Sequence, residues 1–170
     1  HRLVYRQEDA FYGAWMHNSS AALGSMCSGG TIANVTALWV ARNRCFPEQG
    51  GFGGVRRQGM HKALQHYGYS DAVVLVSKRG HYSLSKAADL LGLGSDHIIP
   101  IATDDRNRLR LDRLEEACRD HQQRGARIIA IVGIAGTTET GNVDPLDGIA
   151  DIATRYGVHF HVDAAWGGPT

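Results

Sequence analysis

Residues 72–77 read AVVLVS and residues 128–134 read IIAIVGI. Each is an unbroken apolar run, the pattern of a strand buried on both faces. Helical stretches lie around them. One runs from about Tyr82 to Leu91 and stops at Gly92. Another starts at Asp112, with Glu115 at capping-box spacing, and ends at Gly125. A third has Asp144 as its cap, Pro145 in the first helical position and Gly157 as its close. Residues 98–102 form a further strand, which Pro100 assigns to a sheet edge or a bulge. Residues 158–163 form the last strand. The alternation of strand and helix predicts an α/β fold: a mostly parallel sheet with helices on both faces.

Upstream the pattern is looser. Ile32, Val35, Leu38, Trp39 and Arg42 follow helical spacing after Gly30, with Pro47 just past the end. The glycine-rich residues 47–59 read as a mobile loop, followed by a short helix over 60–67. Residues 1–23 carry no clear period and read as a lead-in segment.

Composition narrows the function. The chain has 170 residues, 43% hydrophobic and 21% charged, enough for one domain with a sizeable core. The formal net charge of +1 gives no whole-domain pull toward nucleic acid or an anionic membrane. No apolar run approaches the roughly 20 residues of a membrane span. Cys27, Cys45 and Cys118 are odd in number and lack metal-ligand spacing, which points to reduced thiols and a cytoplasmic setting.

In an open α/β sheet, ligands bind beyond the carboxyl ends of the strands. Four segments qualify. Cys27-Ser28-Gly29-Gly30-Thr31 opens a helix, where free N–H groups and a hydroxyl suit an anion; a plain helix cap is the other reading. His81 follows the strand 72–77 and could equally be a surface histidine. Residues 136–141 (GTTETG) cluster hydroxyls between glycines, for a ligand or for turns. In His159-Phe160-His161-Val162-Asp163, strand alternation puts His159, His161 and Asp163 on one face. A buried carboxylate at Asp163 calls for a cation, either a metal held with the two histidines or a protonated ring nitrogen.

Together the four segments resemble the group II pyridoxal-phosphate-dependent decarboxylases, which act on glutamate, aspartate, aromatic amino acids and cysteine sulfinate. Residues 28–34 (SGGTIAN) resemble the family's phosphate-binding segment. Gly80-His81-Tyr82-Ser83 with Lys86-Ala87-Ala88 resembles its ring-stacking histidine motif. Residues 136–145 resemble its Gly-Thr-Thr turn, and residues 161–168 (HVDAAWGG) its carboxylate strand. The bacterial glutamate/aspartate 1-decarboxylases are the most similar branch. The resemblance implies the large domain of the aspartate-aminotransferase-like, fold type I architecture, with pyridoxal 5'-phosphate as cofactor and a homodimer as assembly. It implies that Asp163 pairs with the ring nitrogen and that His81 stacks on the ring as the catalytic histidine. Gly30 and Thr31 would then hold the phosphate, with Thr138, Asp144 and Ala165 lining the pocket. No metal is implied.

The resemblance also implies that residues 1–170 are an incomplete large domain. The family's Schiff-base lysine and smaller C-terminal domain are expected beyond Thr170, since Lys62, Lys78 and Lys86 do not match its motif. The expected activity of the parent protein is decarboxylation of a small acidic L-amino acid: glutamate, aspartate or cysteine sulfinate. The isolated piece is expected to be inactive and prone to self-association. Two alternatives stay open here. One is a different fold type I enzyme (a lyase, desulfurase or aminotransferase). The other is a metal-dependent hydrolase using His159, His161 and Asp163.

Overall fold

The computed structural model describes residues 2–168. Its centre is a four-stranded, wholly parallel sheet of β3 (Asp71–Ser77), β4 (Ile98–Ile101), β5 (Ala126–Ile134) and β6 (His159–Asp163). The strand order is β4-β3-β5-β6. The central pair β3 and β5 is buried along almost its whole length, as the unbroken apolar runs require. Pro100 sits in β4, at the edge of the sheet, where its missing N–H costs no ladder bond on the open side.

Two layers of helix cover the sheet. On one face, α3 (Gly30–Cys45), α4 (Val55–Tyr67) and α5 (Ser83–Leu90) bury Leu38, Ala63 and Leu84 against Val74, Val76 and Val132. On the other, α6 (Leu111–Gln123) and α7 (Leu146–Arg155) bury Leu114 and Ile149 against Val73, Leu75 and Ile131. A register shift sets which residues of β5 face which layer. Val73 pairs with Ile128, yet Val74 pairs with Ala130, so Ile129 is an extra residue. A bulge of this kind reverses the alternation beyond it. Ile128 and Ile131, of opposite parity, therefore reach the same layer.

Several local expectations are corrected. Helix α3 does not bury Ile32 and Trp39, which are 47% and 41% exposed; its buried stripe is Asn34, Leu38 and Ala41. Residues 47–59 are not a featureless loop. Glu48–Gln49 (β1) and Phe52–Gly53 (β2) pair as a tight hairpin through Gly50 and Gly51, both at positive φ, the geometry glycine supplies without strain. Helix α4 begins at Val55, earlier than expected, with a break at Gly59. The lead-in holds α1 (Arg2–Tyr5) and α2 (Asp9–Trp15), with Tyr12 buried.

Neither expected side-chain cap is made. Helix α6 starts after Arg110, and Asp112 pairs with that arginine. Helix α7 starts after Pro145, and Asp144 is used elsewhere. Among the described residues, no helix is long and apolar enough to cross a membrane.

Candidate functional site

The loops that leave β3, β5 and β6 at their carboxyl ends meet the start of α3 around a cleft of about 220 Å³. It is the place that parallel sheets reserve for ligands. Gly30, Thr31, His81, Thr138, Asp163 and Ala165 all line it. Six residues read from four separate segments are thus brought to one cavity. Arg79 also lines the cleft, and no lysine does.

Helix α3 presents its N-terminus there. Ala33 is the first residue whose N–H bonds back within the helix, to the Gly29 carbonyl at 3.1 Å. The amides of Gly30, Thr31 and Ile32 precede it and have no intrahelical acceptor. No side chain caps this end. Gly30 is needed for closeness: a Cβ there would lie 2.9 Å from the Cβ of Ala165. Gly136, at φ 92°, answers the same demand on the far wall, where a Cβ would lie 2.8 Å from the Gly167 backbone.

The hydroxyls of the Gly-Thr-Thr turn divide their work. Thr137 is buried, and its Oγ1 accepts from the Asn142 N–H at 3.1 Å and bonds Thr140 Oγ1 at 2.8 Å. Thr138 is left to face the cleft.

Asp163 closes β6 and is only 7% exposed. Its Oδ2 accepts from Asn34 Nδ2 at 2.8 Å, and its Oδ1 from the Ala165 N–H at 3.2 Å. Among the described residues no lysine or arginine pairs with it, so a buried carboxylate faces the cleft with neutral donors alone. Asn34 Nδ2 also donates to Ser83 Oγ at 3.0 Å, while Asn34 Oδ1 accepts from His161 Nε2 at 2.8 Å. Ser83 Oγ in turn lies 2.8 Å from His81 Nδ1. Burial pushes the pKa of His161 below the usual histidine range, toward the neutral ring.

Asn34 and Ser83 were not among the expected site residues. The available signal was the position of Asn34 in the stripe it shares with Leu38 and Ala41, a polar residue where a core residue belongs.

Two expectations fail on geometry. Asp144, expected in the pocket, does not line the cleft. It is 3% exposed, and its carboxylate accepts from the Leu109 N–H at 2.7 Å and the Ile134 N–H at 2.9 Å. Burial raises its pKa, against the lowering effect of those two bonds. The metal reading of His159, His161 and Asp163 also fails. Asp163 Oδ2 and His161 Nε2 are each committed to the carboxamide of Asn34, at 2.8 Å. Among the described residues no group of three His, Cys, Asp or Glu side chains is arranged to hold a metal.

The comparisons with known proteins agree with this arrangement. The chain is 54% identical over its whole length to an aspartate 1-decarboxylase of Aliivibrio fischeri, of which it covers 31%. It is 38% identical over 88% of its length to an L-2,4-diaminobutyrate decarboxylase of Rhizobium meliloti, of which it covers 26%. The crystal structure of mouse CSAD superposes with a TM-score of 0.77 at 34% identity, over 94% of this chain and 30% of that one. The chain therefore spans less than a third of the length of these relatives. The family described as "Pyridoxal-dependent decarboxylase conserved domain" matches residues 12–170. With its parallel sheet, its glycine-lined helix start and its buried carboxylate gathered at one rim, the chain belongs to the pyridoxal-dependent decarboxylase family.

Proposed function

We propose that the full-length protein carrying this sequence decarboxylates a small acidic L-amino acid with pyridoxal 5'-phosphate. The observation that carries the reading is Asp163, a buried carboxylate with no cationic partner among the described residues, opening into the same cleft as His81. A protonated pyridine nitrogen is the cation that site lacks. The residues present fit the cofactor. When bound, pyridoxal phosphate supplies the electron sink that stabilises the carbanion left as carbon dioxide departs.

The chain's own groups then have distinct tasks. Asp163 holds the proton on the ring nitrogen. Gly30 and Thr31 offer the amides of the α3 start, and Thr31 its hydroxyl, to the phosphate. His81 would cover the ring and orient the substrate, and Thr138 lines the same cleft. Ala165 keeps the ring face free of bulk. The acidic substrate is supported by the 54% identity to an aspartate 1-decarboxylase and by Arg79 at the cleft, a cation able to receive a second carboxylate.

A cytoplasmic homodimer completes the reading. Cys27, Cys45 and Cys118 are free thiols, and Ile32, Trp39 and Val40 expose apolar surface on α3 suited to a second subunit. The test is carbon dioxide release by the full-length enzyme from aspartate, glutamate, cysteine sulfinate and 2,4-diaminobutyrate, with and without added cofactor. Cofactor-dependent release from an acidic substrate is expected. Release from none, preference for diaminobutyrate, or transamination as the main reaction would each overturn the reading.

A further inference from the structure

We propose that Asn34 is a positioning residue that locks the two reactive groups of the cleft to each other, clamping the carboxylate of Asp163 and, through Ser83, fixing His81 as the tautomer protonated on Nε2. The inference rests on the cofactor reading for its consequence, but its geometry stands on this chain alone.

The argument follows the hydrogens. A carboxylate only accepts, so the Asn34 atom 2.8 Å from Asp163 Oδ2 must be the amide nitrogen. The other carboxamide atom is then the oxygen. Its partner His161 must donate, which places that ring's proton on Nε2. The second Asn34 N–H points at Ser83 Oγ, 3.0 Å away. With that lone pair occupied, the Ser83 hydroxyl hydrogen is free to turn to His81 Nδ1 at 2.8 Å. The Ser83 backbone N–H faces the same nitrogen at 3.3 Å. Two donors converge on Nδ1, so that nitrogen carries the lone pair and the proton resides on Nε2.

All of Asn34's hydrogen-bonding capacity but one acceptor position is used, in a fully buried setting where each lost partner is costly. A leucine at this point of α3 would offer none of these three bonds. The chain of bonds His161–Asn34–Asp163, with its branch to Ser83 and His81, crosses from β6 through α3 to α5. It makes the position of one reactive group depend on that of the other.

The test uses the full-length protein, first free of cofactor. Nitrogen chemical shifts of ¹⁵N-labelled histidine, with His81 assigned by loss of its signal in His81→Gln, report the tautomer directly. The expected result is a pyridine-type Nδ1 and a protonated Nε2 in the wild type, retained in Ser83→Thr and lost to a mixture in Ser83→Ala. Protonation on Nδ1 in the wild type, or an unchanged tautomer in Ser83→Ala, overturns the proposal. Ser83→Ala is a small change, so this arm does not depend on the folding of an Asn34 variant.

The second arm titrates pyridoxal phosphate into wild type and Asn34→Ala. Outer partners of metal-binding side chains are commonly worth about 10–100-fold in affinity, and the lower end of that scale is expected for a clamped carboxylate. A loss of at least about tenfold, with a shifted visible absorbance of the bound cofactor, is expected. Unchanged affinity and spectrum overturn the clamp on Asp163. A wild type that binds no cofactor would instead overturn the functional reading and leave the tautomer result standing.

Discussion

Asp163, the last residue of β6, and Asp144, in the loop after β5, are both buried aspartates, and they do opposite things. Asp144 sits in the loop after β5, where two backbone N–H groups, one to each oxygen, hold it outside the lining of the cleft. Asp163 ends β6 and receives one carboxamide and one backbone N–H, with its free side toward the cleft. Burial alone therefore does not mark a functional carboxylate. What marks it is a charge facing a space that a ligand can enter. Asp144 splices the segment before α6 onto the end of β5, while Asp163 holds a negative charge ready for a cation.

The sharpest way to break this comparison is Asp163→Asn in the full-length enzyme. The shape is kept and the charge is lost. Removing a preorganised electrostatic contact costs roughly 10²–10³ in rate. Steady-state kinetics should show that fall with little change in melting temperature. Near-wild-type turnover would place Asp163 beside Asp144 as a structural residue.

Asp144→Ala should produce the mirror image. The N–H groups of Leu109 and Ile134 would be left buried without acceptors, at about 1–3 kcal/mol each. Denaturant unfolding should therefore show a loss of about 2 kcal/mol or more, with cofactor affinity of the folded fraction retained. A fall in affinity without a fall in stability would return Asp144 to the binding site.

Gly30→Ala probes the cleft side of the contrast more gently. The added Cβ would meet Ala165 at 2.9 Å, and overpacking of that kind costs about 1–3 kcal/mol. Roughly tenfold weaker cofactor binding is expected by titration, and no change would mean that the wall yields.

The smallest effect is in pH. Burial lowers the pKa of His161 and His159 below 6.5, so below that value the unfolded chain takes up protons that the folded chain refuses. Their contribution is intact above pH 6.5 and is lost on acidification, at no more than about 1.4 kcal/mol per pH unit per histidine. Asp144 runs the other way: its raised pKa favours the folded state in acid, and that benefit fades as pH rises through the shifted value. His161→Gln, measured by unfolding midpoints from pH 5 to 7.5, should flatten the histidine slope. An unchanged slope would mean that His161 keeps its proton when folded.

The parallel sheet and its two buried central strands were legible in the sequence, and Pro100 narrowed its strand to an edge or a bulge, because apolar periodicity and the missing N–H of proline act locally. So was the rim of the site, since residues that follow strands in such a sheet converge whatever their sequence separation. The hairpin at Glu48–Gly53 was hidden because two-residue strands carry no period. The extra residue Ile129 was hidden because an unbroken apolar run looks the same with or without a bulge. The side chains of Asn34 and Asp163 meet across 129 positions, and those of Asn34 and Ser83 across 49. The sequence by itself determined the strands and helices of the α/β core and brought Gly30, Thr31, His81, Thr138, Asp163 and Ala165 to the cleft. Only tertiary packing decided that Asn34 grips Asp163 and that Asp144 turns away from the cleft, because a hydrogen-bond partner is chosen by distance and direction in space and leaves no repeat in the chain.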